Sequence, residues 1–195
     1  MEKIKQNPFV KKVGFNRIVL CCVLLLMYGL FCALTGGSFA GMNRIMSALN
    51  YAYFLGFLSL GVTFVIATGQ IDFSIGPVMF CCALISGYTL TTHGISMPVA
   101  ILISILVGFA FGLFNGYLVA YWSVPSFITS MASMNIAKGL ASVYTKTQSV
   151  SWPQAADPDN GWFRNLVRYN GFPVGLVILL VAAVICAIIL NKTRI

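Results

Sequence analysis

The sequence predicts an all-α polytopic membrane protein with about six transmembrane helices, one of which is broken around residues 69–77. Hydrophobic residues form 59% of the chain and charged residues only 8%, and the mean hydropathy is +0.91. Water-soluble domains do not have this composition. The apolar residues form runs close to the ~20 residues that a membrane helix needs. One run contains glycines, a proline and a carboxylate, which predicts an interrupted span.

Polar connections separate the six expected spans, which cover residues 18–34, 51–68, 77–91, 97–121, 125–144 and 173–190. The first run is not a signal peptide, because residues 35–38 offer no small-residue cleavage site and further spans follow. Residues 145–172 form the long polar connection, expected outside the cell membrane, and residues 162–168 resemble a short amphipathic helix on the membrane surface. We therefore expect a single transmembrane domain over residues 1–195.

The distribution of basic residues predicts the orientation. The net charge is +8, and five of the twelve basic residues precede the first apolar run, at Lys3, Lys5, Lys11, Lys12 and Arg17. Cytoplasmic segments of membrane proteins carry such an excess of Lys and Arg, so residues 1–17 are expected in the cytoplasm and the chain in a bacterial inner membrane, surrounded by lipid. This pattern excludes a nucleic-acid-binding patch as the reason for the charge.

The interrupted run holds the most informative residue, Asp72. A charged side chain near the bilayer centre costs about 2.5–3.5 kcal/mol on insertion scales, so Asp72 must lie close to water or be held by a partner. We predict that it braces the broken helix by accepting hydrogen bonds from the backbone N–H groups of Ser74 and Ile75. Broken membrane helices line cavities, which makes the following residues candidates for a translocation path: Gly69, Gln70, Asp72, Ser74 and Gly76.

Hydroxyl side chains line one face of the fifth span. Ser126, Thr129, Ser130 and Ser133 recur at helical spacing, and Lys138 follows. Two interpretations remain open: the face lines a hydrophilic route for a polyol, or the hydroxyls bond a neighbouring helix. Lys138 either contributes to that route or extends to the membrane interface.

Three glycines in the fourth span, Gly108, Gly112 and Gly116, recur every four residues. They form a smooth strip that allows another helix to approach closely. The strip predicts helix packing, either between subunits or within this one.

Covalent chemistry is not expected. The six cysteines all lie in apolar runs, where cysteine behaves as a small hydrophobic residue. One histidine and four acidic residues do not predict a metal site or an acid–base pair, and the sequence contains no G-x-x-x-x-G-K-[ST] phosphate loop. We expect no enzyme activity, metal or cofactor, so any ATP must be bound by a partner subunit.

Residues 61–76 read GVTFVIATGQIDFSIG. They resemble the GMxxVIxxGGIDLSVG segment of permease subunits from bacterial ABC importers of the ribose, xylose and galactose type; Asp72, Ser74 and Gly76 match. Residues 115–116 and 125–140 are similar to further family motifs, with Lys138 where the family has arginine. The end of the chain, Leu190-x-x-Thr193, resembles the start of the family's Leu-x-x-Thr-x-x-Gly-Arg motif.

The resemblance implies a transport subunit without its own ATPase. In such importers, two permease copies or close paralogues form the path. A periplasmic or lipid-anchored binding protein delivers a monosaccharide, and cytoplasmic ATPase subunits drive the transport. The resemblance also implies that family chains continue beyond the point matching Ile195, so we expect this sequence to correspond to their N-terminal part. The alternative is an ion-coupled secondary transporter in which Asp72 carries a proton or sodium ion and Lys138 is its counter-charge.

Overall fold

The computed structural model of the chain describes residues 15–167 and 174–192. Most of the predicted N-terminal basic cluster, together with Arg168, Pro173 and Thr193, lies outside the described residues. Within them the chain forms seven α-helices, one short 3₁₀ turn (Ser38–Ala40) and no strand. The helices are α1 (Phe15–Leu34), α2 (Met42–Ala67), α3 (Ile75–His93), α4 (Met97–Tyr121), α5 (Ser126–Tyr144), α6 (Trp162–Val167) and α7 (Val174–Lys192).

The all-α class and the polytopic character are confirmed. Among the described residues, α2, α3, α4 and α7 are long and apolar enough to cross a membrane. α1 contributes a shorter apolar stretch over Val19–Leu34, whereas the 19 residues of α5 include several serines, an asparagine and Lys138. The total of six spans therefore stays a prediction.

The described residues divide into two compact units, with the boundary between Ala48 and Leu49. In the first unit, the turn after α1 folds back on that helix. The ring of Phe39 lies 5.8 Å from that of Tyr28 and 5.5 Å from that of Phe31. The hydroxyl of Thr35 donates to the carbonyl of Phe31 at 2.7 Å, which satisfies one carbonyl at the end of α1.

The second unit is built on α3, α4 and α5, which pack against one another. Its core joins Cys81 and Ile85 of α3 to Ala137 and Ala141 of α5, with Phe111 of α4 among the apolar residues packed against them. Small residues dominate because van der Waals packing between membrane helices requires close approach of their backbones. In the same unit, Gly175 of α7 faces the ring of Tyr53 in α2.

The long connection after α5 docks on the end of this three-helix core. Trp152 and Phe163 stack with ring centroids 6.1 Å apart and pack against Leu90 and Met97. The side-chain oxygen of Asn160 accepts a hydrogen bond from the backbone N–H of Met97 at 3.2 Å and so caps α4 from the loop. The short helix predicted at residues 162–168 is present as α6.

Candidate functional site

Helix α2 ends in a Schellman motif at Gly69. The backbone N–H of Gly69 donates to the carbonyl of Ile66 at 2.9 Å, and that of Gln70 donates to the carbonyl of Val65 at 3.2 Å. Gly69 has φ +74°, a conformation that glycine adopts without the strain of a side chain. The chain stays non-helical until α3 begins at Ile75, so the predicted interruption is present.

Asp72 holds the start of α3. Its Oδ1 accepts a hydrogen bond from the backbone N–H of Ser74 at 2.7 Å and another from the Ser74 hydroxyl at 2.6 Å. The bond from the Ser74 N–H is the one predicted from the sequence; the second donor is the Ser74 hydroxyl instead of the Ile75 N–H. Because the N-terminus of a helix carries a partial positive charge, the carboxylate also favours α3 electrostatically.

Ser74 connects this segment to α4. Its hydroxyl accepts a hydrogen bond from Nδ2 of Asn115 at 3.1 Å, and Ser74 itself is only 2% exposed. A second link joins the backbone N–H of Ile71 to the hydroxyl of Ser126, at the start of α5, at 3.3 Å. Asn115 lies six residues before Tyr121, the last residue of α4. At 1.5 Å per residue this is a distance of about 9 Å. The contact with Asn115 therefore places the interruption midway between the centre and the end of α4.

Asn115 also bonds to α5. The fully buried hydroxyl of Ser133 donates to Oδ1 of Asn115. A continuous hydrogen-bond chain thus runs from Ser133 through Asn115 and Ser74 to Asp72 and ties three helices together. Asn115 was not among the predicted site residues. A signal was present in the sequence, because it is the only amide or charged side chain in an otherwise apolar helix.

Two cavities meet at this chain. The first, of about 540 Å³, lies between α3 and α4 and reaches Trp152. The second, of about 400 Å³, lies among the end of α2, α4 and α5 and reaches Val119. Both are lined by Asp72, Gly112 and Asn115. Asp72 and Asn115 are thus the polar residues that the two cavities share, and further polar residues line one cavity each.

The other predicted site residues divide between lining and packing. Gln70, Ser126 and Ser130 line the second cavity. Thr129 is buried and its hydroxyl donates to the carbonyl of Pro125 on its own helix at 3.4 Å. Gly76 is the second residue of α3, where a side chain would contact nothing within 4 Å. Some hydroxyls thus line a cavity and others bond within the bundle, and the use of this face as a route for a polyol stays a prediction.

Lys138 lies apart from Asp72. It is exposed and lines a third cavity, of about 530 Å³, together with Thr145 and Gln148. Asp72 is not among the residues that line this cavity. No ion pair joins Lys138 to Asp72 in the part of the chain that the structure describes. The described residues likewise bring together no group of three or more His, Cys, Asp or Glu side chains.

The glycine strip of α4 borders the cavities. A Cβ added at Gly108 would lie 3.5 Å from Sγ of Cys82, an ordinary contact with α3. A Cβ at Gly112 or Gly116 would meet no atom within 4 Å. Among the residues that the structure describes, the strip thus packs at Gly108 and not at Gly112 or Gly116, and its use as an interface with another subunit stays a prediction.

Comparison with known proteins gives these features a context. Residues 44–195 match the family described as "Branched-chain amino acid transport system / permease component". The chain is 30% identical over 145 residues to the xylose transport system permease protein XylH of Haemophilus influenzae, covering 73% of this chain and 38% of that protein. It is 31% identical over 169 residues to the fructose import permease protein FruG of Bifidobacterium longum, covering 81% and 48%.

A third relative is the galactofuranose transporter permease protein YtfT of Escherichia coli, 37% identical over 118 residues, with 59% of this chain and 33% of that protein covered. The chain spans half or less of the length of these curated relatives. No solved structure matches it. With its apolar helices and the match over residues 44–195, the chain is a multi-pass membrane protein that belongs to this family of transport-system permease components.

Proposed function

We propose that this chain is a transmembrane subunit of an ATP-driven importer and forms part of the path for a monosaccharide. The observation that carries the proposal is the meeting of two cavities at Asp72, Gly112 and Asn115, inside a helix bundle of a permease-family chain. Relatives named for xylose, fructose and galactofuranose support a sugar as the transported solute.

The size and chemistry of the cavities suit a small polyhydroxylated solute. Their volumes, about 540 and 400 Å³, fall in the range of small-molecule sites, about 300–1,000 Å³. Their polar side chains are two amides, a carboxylate, serine and threonine hydroxyls and an indole, which can each form hydrogen bonds with sugar hydroxyls. Among the described residues no positively charged side chain lines either cavity, and Asp72 lines both, so the lining favours a neutral solute over an anion.

In the proposed complex, partner proteins supply ATP hydrolysis, delivery of the sugar and the other part of the path. A cytoplasmic ATPase subunit binds and hydrolyses ATP, and a periplasmic or lipid-anchored binding protein delivers the sugar. A second permease copy or a close paralogue completes the path. The chain lies in the inner membrane with its N-terminus in the cytoplasm. Side chains on α4 such as Phe109 and Leu113, which are 62% and 57% exposed, are then covered by lipid or by the second copy.

The ion-coupled alternative assigns Asp72 the role of ion carrier, and its lining of both cavities is the observation that favours it. The proposed counter-charge, Lys138, lines a different cavity. In a bracing role, Asp72 needs an acceptor oxygen more than a charge. Asp72→Asn should therefore keep part of the transport, whereas loss of an ion-coupling carboxylate should abolish it.

The test is uptake of radiolabelled xylose, fructose and galactose into membrane vesicles that hold the chain with its native partners. We expect uptake of at least one sugar that requires ATP and the binding protein, and that persists in part in Asp72→Asn. Asp159→Asn, which changes an exposed carboxylate in the loop, is the matched control. Uptake that follows an ion gradient without ATP, and that Asp72→Asn abolishes, would establish the alternative.

A further inference from the structure

Asn115 lies where the two cavities adjoin. It lines both of them, and its two polar atoms are both engaged, Nδ2 with the hydroxyl of Ser74 and Oδ1 with the hydroxyl of Ser133. Its partners belong to different elements, the start of α3 and the middle of α5. The side chain thus bridges the bundle at the boundary between the cavities.

We propose that Asn115 is the gate residue of the passage: its two hydrogen bonds close the connection between the cavities, and a passing polyol opens it by replacing the serine hydroxyls with its own. The inference rests on the proposed function for the identity of the solute. The state of the gate can be measured without transport.

The direction of the hydrogen bonds determines how the gate is held. A carboxylate only accepts, so the single hydroxyl proton of Ser74 is directed to Asp72, and Ser74 must accept from Asn115. The amide therefore presents its NH₂ group to Ser74 and its oxygen to Ser133. All donors point towards Asp72, an arrangement in which each hydrogen bond polarises the next.

An amide suits this role because it donates and accepts at once, and because its present partners are the groups that a polyol carries. A sugar hydroxyl inserted between the amide and a serine can accept a hydrogen bond from one and donate to the other, so opening by the solute leaves neither the amide nor the serine unpaired. Neighbouring glycines leave room for the movement. Gly112 and Gly116 flank Asn115 along the helix, and a Cβ at either would contact nothing within 4 Å.

The experiment measures from which side of the membrane each cavity can be reached. In a background with the six native cysteines replaced by alanine, single reporters Ser104→Cys in the first cavity and Val119→Cys in the second are labelled with a membrane-impermeant thiosulfonate. Right-side-out and inside-out vesicles carrying the chain with its native partners present the two faces. With the gate closed, each reporter should react from one face of the membrane only, and the two reporters should react from opposite faces.

Asn115→Ala removes both hydrogen bonds. Each is worth a factor of roughly 2 to 12 in population, so labelling of each reporter from its formerly closed face should rise roughly 5- to 150-fold. Ser133→Ala removes one of the two hydrogen bonds and keeps the bond between Asn115 and Ser74, so labelling should rise by the smaller factor expected for a single bond. This variant still tests the proposal if Asn115→Ala does not fold. The control is Asn135→Ala on α5, whose exposed amide donates to the carbonyl of Met131 in its own helix.

Unchanged sidedness in both Asn115→Ala and Ser133→Ala would overturn the proposal, as would parent reporters that react from the same face or from neither. Labelling uses neither ATP nor sugar, so these outcomes do not depend on uptake. A gate that opens as expected in a protein without ATP-driven sugar uptake would refute the proposed function and leave Asn115 as the gate of another passage.

Discussion

Replacing Asp72 by alanine and by asparagine separates the two contributions of this side chain, its charge and its acceptor oxygen. Both variants remove the carboxylate charge from the membrane region. Only asparagine keeps an oxygen that can accept from the N–H and the hydroxyl of Ser74, which lie 2.7 and 2.6 Å from Oδ1. The difference between the two variants therefore measures the brace at the start of α3.

The magnitude follows from the two hydrogen bonds. Between neutral groups each contributes about 0.5–1.5 kcal/mol, so Asp72→Ala should be less stable than Asp72→Asn by about 1–3 kcal/mol. Asp72 is partly buried and the Ser74 hydroxyl can turn to another acceptor, which places the expected difference in the lower half of this range. The parent should be more stable than Asp72→Asn, because charge-assisted hydrogen bonds are stronger and favour the helix N-terminus.

The assay is denaturant-induced unfolding in detergent micelles, followed by tryptophan fluorescence, for the parent and both variants. Asp159→Ala, which removes an exposed loop carboxylate, is the control and should change the free energy of unfolding by less than about 0.5 kcal/mol. Equal stability of the alanine and asparagine variants would refute the brace, because the acceptor oxygen would then contribute nothing.

Three further substitutions test the packing around the site, each by thermal unfolding in detergent. Asn160→Ala removes the cap on the N–H of Met97 and should destabilise the protein by about 1 kcal/mol; no change would show that water caps α4 equally well. Gly87→Ala places a Cβ within 3.0 Å of the Trp152 indole, so it should cost about 1–3 kcal/mol and expose the loop to proteolysis; an unchanged digestion pattern would contradict this. Lys146→Gly replaces a residue held at φ 53° just after α5 and should raise the stability by about 1 kcal/mol; a loss would show that its side chain matters more than backbone strain.

The interruption and its brace were predictable because their chemistry is local. Gly69 ends α2 through bonds to the preceding turn, and Asp72 reaches a donor two residues away. Such contacts follow from residue type and spacing. The first residue of α3 was less accurately placed, at Pro77 instead of Ile75, because proline is tolerated within the first turn of a helix.

The partners of the interruption could not be read from the sequence. Asn115 meets Ser133 and Ser74 only because α3, α4 and α5 pack in one particular register, which periodicity within a single helix does not specify. The same applies to Lys138. Its place on α5 was clear, but its separation from Asp72 depends on the rotation of α5 against its neighbours. The glycine strip showed where a close approach is possible and not which helix uses it.

The most direct test of the central claim, that an unwound segment carries Asp72 into the membrane interior, is the depth of a nitroxide at the exposed position Phe73 in lipid bilayers. Its accessibility to oxygen and to a water-soluble nickel chelate reports that depth. α4 is about 37 Å long against a hydrocarbon core of about 30 Å, so a point about 9 Å from its end lies roughly 5 Å inside the core. We expect the nitroxide to be at that depth. A nitroxide in bulk water beyond the headgroups would contradict the claim.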